Sequence, residues 1–179
     1  MKNIVLIGFM GTGKTSTGKL LAKRLGAAFI DLDRAIEEEY GMTIPAMFQQ
    51  KGEAYFRACE HAMVEKTAGR RNTVISTGGG TVKDPANMAA LHEGGIIVCL
   101  KADIDTILAR TASHGTRPVL DSEDQGDRRQ AIASLLAERR RLYEVADFYV
   151  DTSTRTPREV VDEIIRQIKH EKIGGGSHA

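Results

Sequence analysis

The segment Gly8-Phe9-Met10-Gly11-Thr12-Gly13-Lys14-Thr15 constrains this chain more than any other stretch. Its spacing is Gly-x-x-x-x-Gly-Lys-Thr, which carries meaning where a strand precedes it and a helix follows. Both flanks are present. Asn3 to Ile7 reads as a short buried strand, and from about Lys14 to Leu25 the residues read as a helix. Glycines in such a turn let backbone N–H groups face inward as an anion nest, and the helix N-terminus adds partial positive charge. Lys14 supplies a mobile full charge for β- and γ-phosphates, and the Thr15 hydroxyl is suited to ligating Mg²⁺. The competing reading, a glycine turn that binds nothing, is disfavoured by the complete motif in its required context. The loop therefore predicts nucleotide binding and leaves the acceptor open.

Beyond the loop, short apolar runs alternate with stretches of helical period. Ala28 to Asp31 and Thr73 to Ser76 read as the next two strands, with two or three helices between them, the last starting near Gly52. Ile96 to Leu100 reads as a fourth strand and Asp147 to Asp151 as a fifth. Helices are expected near Ile104–Thr111, Arg128–Glu144 and Arg158–Glu171. Apolar strands without alternation predict an α/β fold whose parallel sheet is covered on both faces. Ligands in such sheets bind beyond the carboxyl ends of the strands. The loop after strand one, Asp31 and Asp33 after strand two, and Gly78-Gly79-Gly80 after strand three should therefore converge.

Residues 112–127 contain Gly115, Pro118, Gly126 and several Asp and Glu but no apolar period, which is the profile of a lid or a disordered segment. Residues 1–172 are expected to form one domain, and the Gly-rich end, 173–179, a flexible tail or an engineered remnant. A net charge of +1 gives no global pull toward nucleic acid or anionic membrane. Cys59 and Cys99 are too few for a disulfide scaffold and argue for a reducing compartment, with Cys99 inert in the run Ile96–Leu100. No signal peptide or span of about 20 apolar residues is evident, so the cytoplasm is the expected location. The five histidines show no metal-ligand spacing.

The acceptor side is ambiguous residue by residue. Asp31 and Asp33 at a strand end could both face a ligand, one toward the metal's water shell and the other toward an acceptor hydroxyl. Equally, Asp33 could cap the helix that follows. Arg57 pairs with Glu53 at i,i+4 and with Glu60 at i,i+3, which taken alone reads more often as a solvated salt-bridge face. Ser76-Thr77-Gly78-Gly79-Gly80 could admit a ligand close to its backbone or be a plain turn.

Taken together, the phosphate loop, Asp-Leu-Asp at 31–33, Phe-x-x-x-Gly-Glu-x-x-Phe-Arg-x-x-Glu at 48–60 and Ser-Thr-Gly-Gly-Gly at 76–80 resemble the shikimate kinase family in order and spacing. Arg117-Pro118 and Glu138-Arg139 with Leu142-Tyr143 extend the resemblance, which runs from about residue 2 to about residue 168. It implies a P-loop kinase of nucleoside-monophosphate-kinase type, with a five-stranded parallel sheet flanked by helices on both faces and a lid. The implied substrates are ATP and shikimate, the implied cofactor is Mg²⁺, and the implied state is a monomer. Gly11, Thr12, Gly13, Lys14, Thr15 and Ser16 would bind ATP, with Arg110 and Arg155 flanking the adenine. Thr15 would hold Mg²⁺ directly and Asp31 through water.

By the same resemblance Asp33 would bond the shikimate hydroxyls, and Arg57 and Arg139 would clamp its carboxylate. Gly78, Gly79 and Gly80 would line the ring, and Phe48 and Phe56 would wall the pocket. Arg117 would reach the transferring phosphate, making Lys14, Asp33 and Arg117 the catalytic group. Departures are small: Val119 where Leu is common, a Tyr143–Asp147 stretch one residue short, and an acidic lid. A gluconate or nucleoside-monophosphate kinase, or a non-catalytic shikimate sensor, are the rival readings.

Overall fold

In the computed structural model, residues 1–112 and 125–174 are described, the side chains of 125 and 172–174 excepted. Strand β1 (Asn3–Ile7) is buried along its whole length. Strand pleating sends its residues alternately to two faces, and each face has its own core. Val5 and Ile7 join one cluster, Ile4 and Leu6 the other. Five strands pair in parallel in the order β2 (Ala28–Asp31), β3 (Thr73–Ser76), β1, β4 (Gly95–Lys101), β5 (Phe148–Asp151). The expected parallel sheet is borne out.

Helices α1 (Lys14–Leu25) and α8 (Pro157–Gly174) cover one face. Leu21, Val160, Val161 and Ile164 there pack on Ile4, Leu6, Val74 and Val98. Helices α2 (Leu32–Tyr40), α3 (Ile44–Lys51), α4 (Glu53–Ala68) and α5 (Pro85–Gly94) cover the other. Ile36, Met47, Phe56, Val64 and Leu91 pack there on Val5, Ile75 and Ile97. Each such Ile, Leu or Phe, fully buried, contributes about 1.5–3 kcal/mol. A smaller cluster places Phe9 of the loop against Ile107 of α6 (Ile104–Thr111) and Ile132 of α7 (Gln125–Arg139).

Chain order turns back at β1, which lies between β3 and β4. The loop after β1 therefore opens at the crevice where parallel sheets bind ligands.

Four differences from the sequence reading have physical causes. Helix α5 was not expected: its buried residues Asn87, Met88 and Leu91 include a polar one and form no full apolar stripe. Its start is nonetheless a familiar signal, since Asp84 Oδ1 accepts from Ala86 N at 2.9 Å and Pro85 occupies the first turn. Helix α7 begins at Gln125, inside the stretch expected to be lid, with Asp127 favourable in its first turn. It ends at Arg139, and Arg140–Val145 continues as 3₁₀ rather than α. Helix α8 runs to Gly174, past the expected end at Glu171.

Candidate active site

Backbone geometry dominates the phosphate loop. Gly8 has φ 144°, and a Cβ there would collide with the Leu100 carbonyl oxygen, so the loop crosses the end of β4 only because no side chain intervenes. Gly13, at φ 91°, is the N-cap of α1. Lys14 Nζ donates to the carbonyls of Gly8 at 2.7 Å and Phe9 at 3.1 Å, so the ammonium lies over the nest. Thr12 turns inward, its hydroxyl donating to Phe9 O at 2.7 Å, while Ser16 Oγ donates to Gly13 O at 3.3 Å.

Thr15 Oγ1 donates to Asp31 Oδ2 at 2.7 Å. Two hard oxygens side by side at the loop fit Mg²⁺, which keeps most of its water and takes few protein ligands. Among the described residues no cluster of three His, Cys, Asp or Glu could hold a metal. Asp31, not Asp33, is the N-cap of α2: its Oδ1 accepts from Arg34 N at 3.3 Å. Asp33 sits within the first turn of that helix, so the two carboxylates do not share a pleat, and Asp33 is released from the capping role the sequence left open.

Asp33 points to the loop after β3. A Cβ on Gly78 would stand 2.5 Å from Asp33 Oδ1. A Cβ on Gly79 would meet Arg139 Nη1 at 3.3 Å, and one on Gly80 would lie 2.6 Å from both Nη1 and Nη2 of Arg57. Three successive glycines thus make room for a carboxylate and two guanidinium groups from three separate helices. Arg139 Nη1 also donates to Gly79 O at 3.0 Å, and its guanidinium lies 5.6 Å from the Phe9 ring centroid.

Helix α4 supplies Arg57 with support. Arg57 Nη1 donates to Glu60 Oε1 at 2.8 Å, and Thr81 Oγ1 donates to Glu60 Oε2 at 2.9 Å. Glu60 is 1% exposed. The pair is therefore no solvated face: a buried carboxylate holds the guanidinium from beneath, and removing either partner would strand a charge. Sequence reasoning assigned Glu60 no role, though its spacing with Phe56, Cys59, Met63, Val64 and Thr67 sets it on the buried face of α4. Phe48 and Phe56 stack at 5.0 Å, tilted by 39°, with Phe56 buried and Phe48 exposed.

On the nucleotide side Arg110 Nη1 donates to Gly11 O at 3.1 Å and to Thr152 Oγ1 at 3.0 Å, and Nη2 donates to Thr152 O at 2.8 Å. Its edge is thus engaged by protein. Arg155 is exposed, with Nη1 donating to Asp151 O at 3.2 Å. Arg117 and most of the expected lid lie outside the described residues.

Burial shapes the titration of neighbouring groups. It pushes the Cys99 thiol up to about 11, against a downward pull from Lys101 and Lys14, as suits an inert core cysteine. It also pushes the Tyr143 phenol up to about 12, partly countered by the Arg139 charge. The Tyr143 hydroxyl and Arg139 Nε both lack good hydrogen-bond geometry to any partner among the described residues. A cavity of about 490 Å³ is lined by Phe9 and Thr12 of the loop together with Leu136, Arg140, Tyr143 and Tyr149. The acceptor-side residues do not line it, so it is separate from the Gly78–Gly80 cradle.

A loop of phosphate-binding geometry at the switch point of a parallel sheet, facing a cradle of one carboxylate and two guanidinium groups, defines a P-loop phosphotransferase for a small anionic alcohol. The family model for shikimate kinase matches residues 10–169. A shikimate kinase from Thermodesulfovibrio yellowstonii is 46% identical over 176 residues, 98% of this chain and 99% of its own length. Among solved structures, a shikimate kinase from Acinetobacter baumannii in complex with shikimate superposes with a TM-score of 0.90 at 36% identity, covering 96% of this chain and 95% of that one. A gluconokinase from Sinorhizobium meliloti, at 19% identity and a TM-score of 0.58 over 99% and 98% of the two chains, shares the fold alone. The chain belongs to the shikimate kinase family.

Proposed function

We propose that this chain transfers the γ-phosphoryl group of ATP to the 3-hydroxyl of shikimate, a step toward chorismate and the aromatic amino acids. The observation that carries this reading is the Gly78–Gly80 loop, where each missing Cβ makes room for Asp33, Arg139 or Arg57 beside the phosphate loop. Shikimate offers one carboxylate and vicinal hydroxyls. Planar guanidinium forks suit the first, because two parallel hydrogen bonds match a carboxylate. A carboxylate side chain suits the second as an acceptor.

In this reading Arg57 and Arg139 fix the substrate carboxylate, and Asp33 orients the 3-hydroxyl toward the γ-phosphorus. As the new P–O bond forms and the bond to the β-phosphate oxygen breaks, the hydroxyl proton leaves toward Asp33. Lys14 and the α1 N-terminus stabilise charge on the transferring group and on departing ADP. Gly11, Gly13 and Ser16 present the nest, with Thr12 bracing it from within. Thr15 directly and Asp31 through water would hold Mg²⁺, which would supply positive charge against the phosphate oxygens. Arg117 is assigned to the transferring phosphate, and Arg110 and Arg155 to the adenine. Phe48 and Phe56 wall the ring.

The reading carries with it one domain over 1–172, a lid, a monomer, and work in the cytoplasm with no nucleic acid or membrane partner. It agrees with two buried free cysteines and with the finding that no described helix is long and apolar enough to cross a membrane.

A coupled ADP-release assay comparing shikimate, quinate, gluconate and AMP tests the acceptor. Shikimate should show the highest kcat/KM. A higher value for gluconate or AMP would reassign the enzyme, and shikimate binding without ADP release would make it a sensor.

A further inference from the structure

We propose that Thr152, just past β5, is a positioning residue for the nucleotide, acting through Arg110 and the phosphate loop. The proposal rests on the reading that this loop binds ATP. Thr152 is 2% exposed. Its hydroxyl lies 3.0 Å from Thr12 O and 3.1 Å from Lys101 O, and it accepts from Arg110 Nη1 at 3.0 Å.

A hydroxyl has one hydrogen to give. Lys101 O already accepts the Thr152 backbone N–H at 2.8 Å. Giving the hydrogen to Thr12 O, the shorter contact and in the middle of the phosphate loop, serves both carbonyls at once. Arg110 closes the arrangement by giving Nη2 to Thr152 O at 2.8 Å and Nη1 also to Gly11 O at 3.1 Å. One small side chain thus joins the loop, the end of β4 and the cation expected beside the adenine. The surroundings leave the loop little alternative room: a Cβ on Gly11 would meet Thr111 Cγ2 at 3.0 Å.

Losing the hydroxyl would leave Thr12 O without this donor and Arg110 without one acceptor. A buried group deprived of its partner is destabilised, which the bound nucleotide would feel as a displaced nest and a misaimed Arg110. Removing only the methyl leaves every one of these bonds available.

The test is ADP affinity by calorimetry on the full chain, with Thr152→Val removing the hydroxyl at nearly constant shape and Thr152→Ser keeping it. Thr152→Val should weaken ADP by about 10-fold, equivalent to about 1.4 kcal/mol, and raise KM for ATP in parallel. Its KM for shikimate should stay within about twofold, and Thr152→Ser should match the parent. Unchanged ADP affinity in Thr152→Val, even with a lower Tm, would reduce the residue to a structural role and overturn the proposal. So would equal losses in the Ser and Val variants. Should Thr152→Val fail to fold, Thr152→Ala is compared with Thr152→Ser under the same criterion. Because ADP binding is read directly, failure of the acceptor assignment would leave this test intact and distinguishable.

Discussion

The regions proposed for donor and acceptor are built in opposite ways. The donor side is one unbroken run, Gly8–Thr15, whose working groups are mostly backbone and whose geometry follows from three glycines and a helix start. The acceptor side gathers Asp33 from α2, Arg57 from α4, Arg139 from the end of α7 and three glycines from the loop after β3. The first needs only local chain geometry; the second exists only when the sheet order and helix packing are right. A contiguous site should fail catalytically when a single charge is lost. A dispersed one should fail in binding at the members remote from the reacting hydroxyl, Arg57 and Arg139, and in turnover only at Asp33 beside it.

Lys14→Ala is the strongest way to break that contrast. It removes charge stabilisation without touching either core, so kcat should fall by about 10³-fold with the Tm unchanged; more than a tenth of parental turnover would dismiss Lys14 as the charge donor. Asp33→Asn should cut kcat by about 10²-fold with little change in shikimate KM. Near-parental turnover would confine Asp33 to holding the start of α2. Arg57→Ala removes a charge-assisted bond and should raise shikimate KM by about 10- to 100-fold while leaving ATP KM alone; if shikimate KM holds, the carboxylate clamp is elsewhere.

Gly80→Ala tests the cradle without altering any polar group. Its new methyl would displace the Arg57 guanidinium at a cost of about 1–2 kcal/mol, so shikimate KM should rise by about 10-fold, and titration calorimetry should show the loss in shikimate affinity alone. Arg155→Ala should be the mildest, shifting ATP KM by about twofold, since an exposed charge is worth little. A tenfold rise there would make the nucleotide side as dispersed as the acceptor side.

The same contrast explains what could be read from the chain in advance. The strands and α1 were legible because Ile4–Ile7 and Ile96–Leu100 are apolar without interruption and the loop motif marks where β1 hands over to α1. Helix α5 was not, because Asn87 lies on its buried side and bonds Thr81 O rather than packing as an apolar residue would. Asp31 and Asp33 looked equivalent, and only the start of α2 assigns the cap to Asp31 and turns Asp33 toward the loop after β3. Glu60 looked like surface charge because an i,i+3 pair carries no information about depth; its burial comes from the Thr81 hydroxyl and the loop that α4 meets. Arg139 stood among three arginines, Arg139–Arg141, and what distinguishes it is burial and its bond to Gly79 O, while its two neighbours are exposed.

The glycine loop also bears on how such a chain can diverge. Because the space above Gly78 belongs to Asp33, that above Gly79 to Arg139 and that above Gly80 to Arg57, each polar group is matched to a vacant volume elsewhere in the sequence. Replacing an arginine leaves a hole that its glycine cannot fill, while a side chain at Gly78 or Gly80 would displace Asp33 or Arg57 and one at Gly79 would press on Arg139. A new acceptor preference would therefore have to be reached by paired changes at distant positions, and most single steps along the way would lose the old substrate before gaining another.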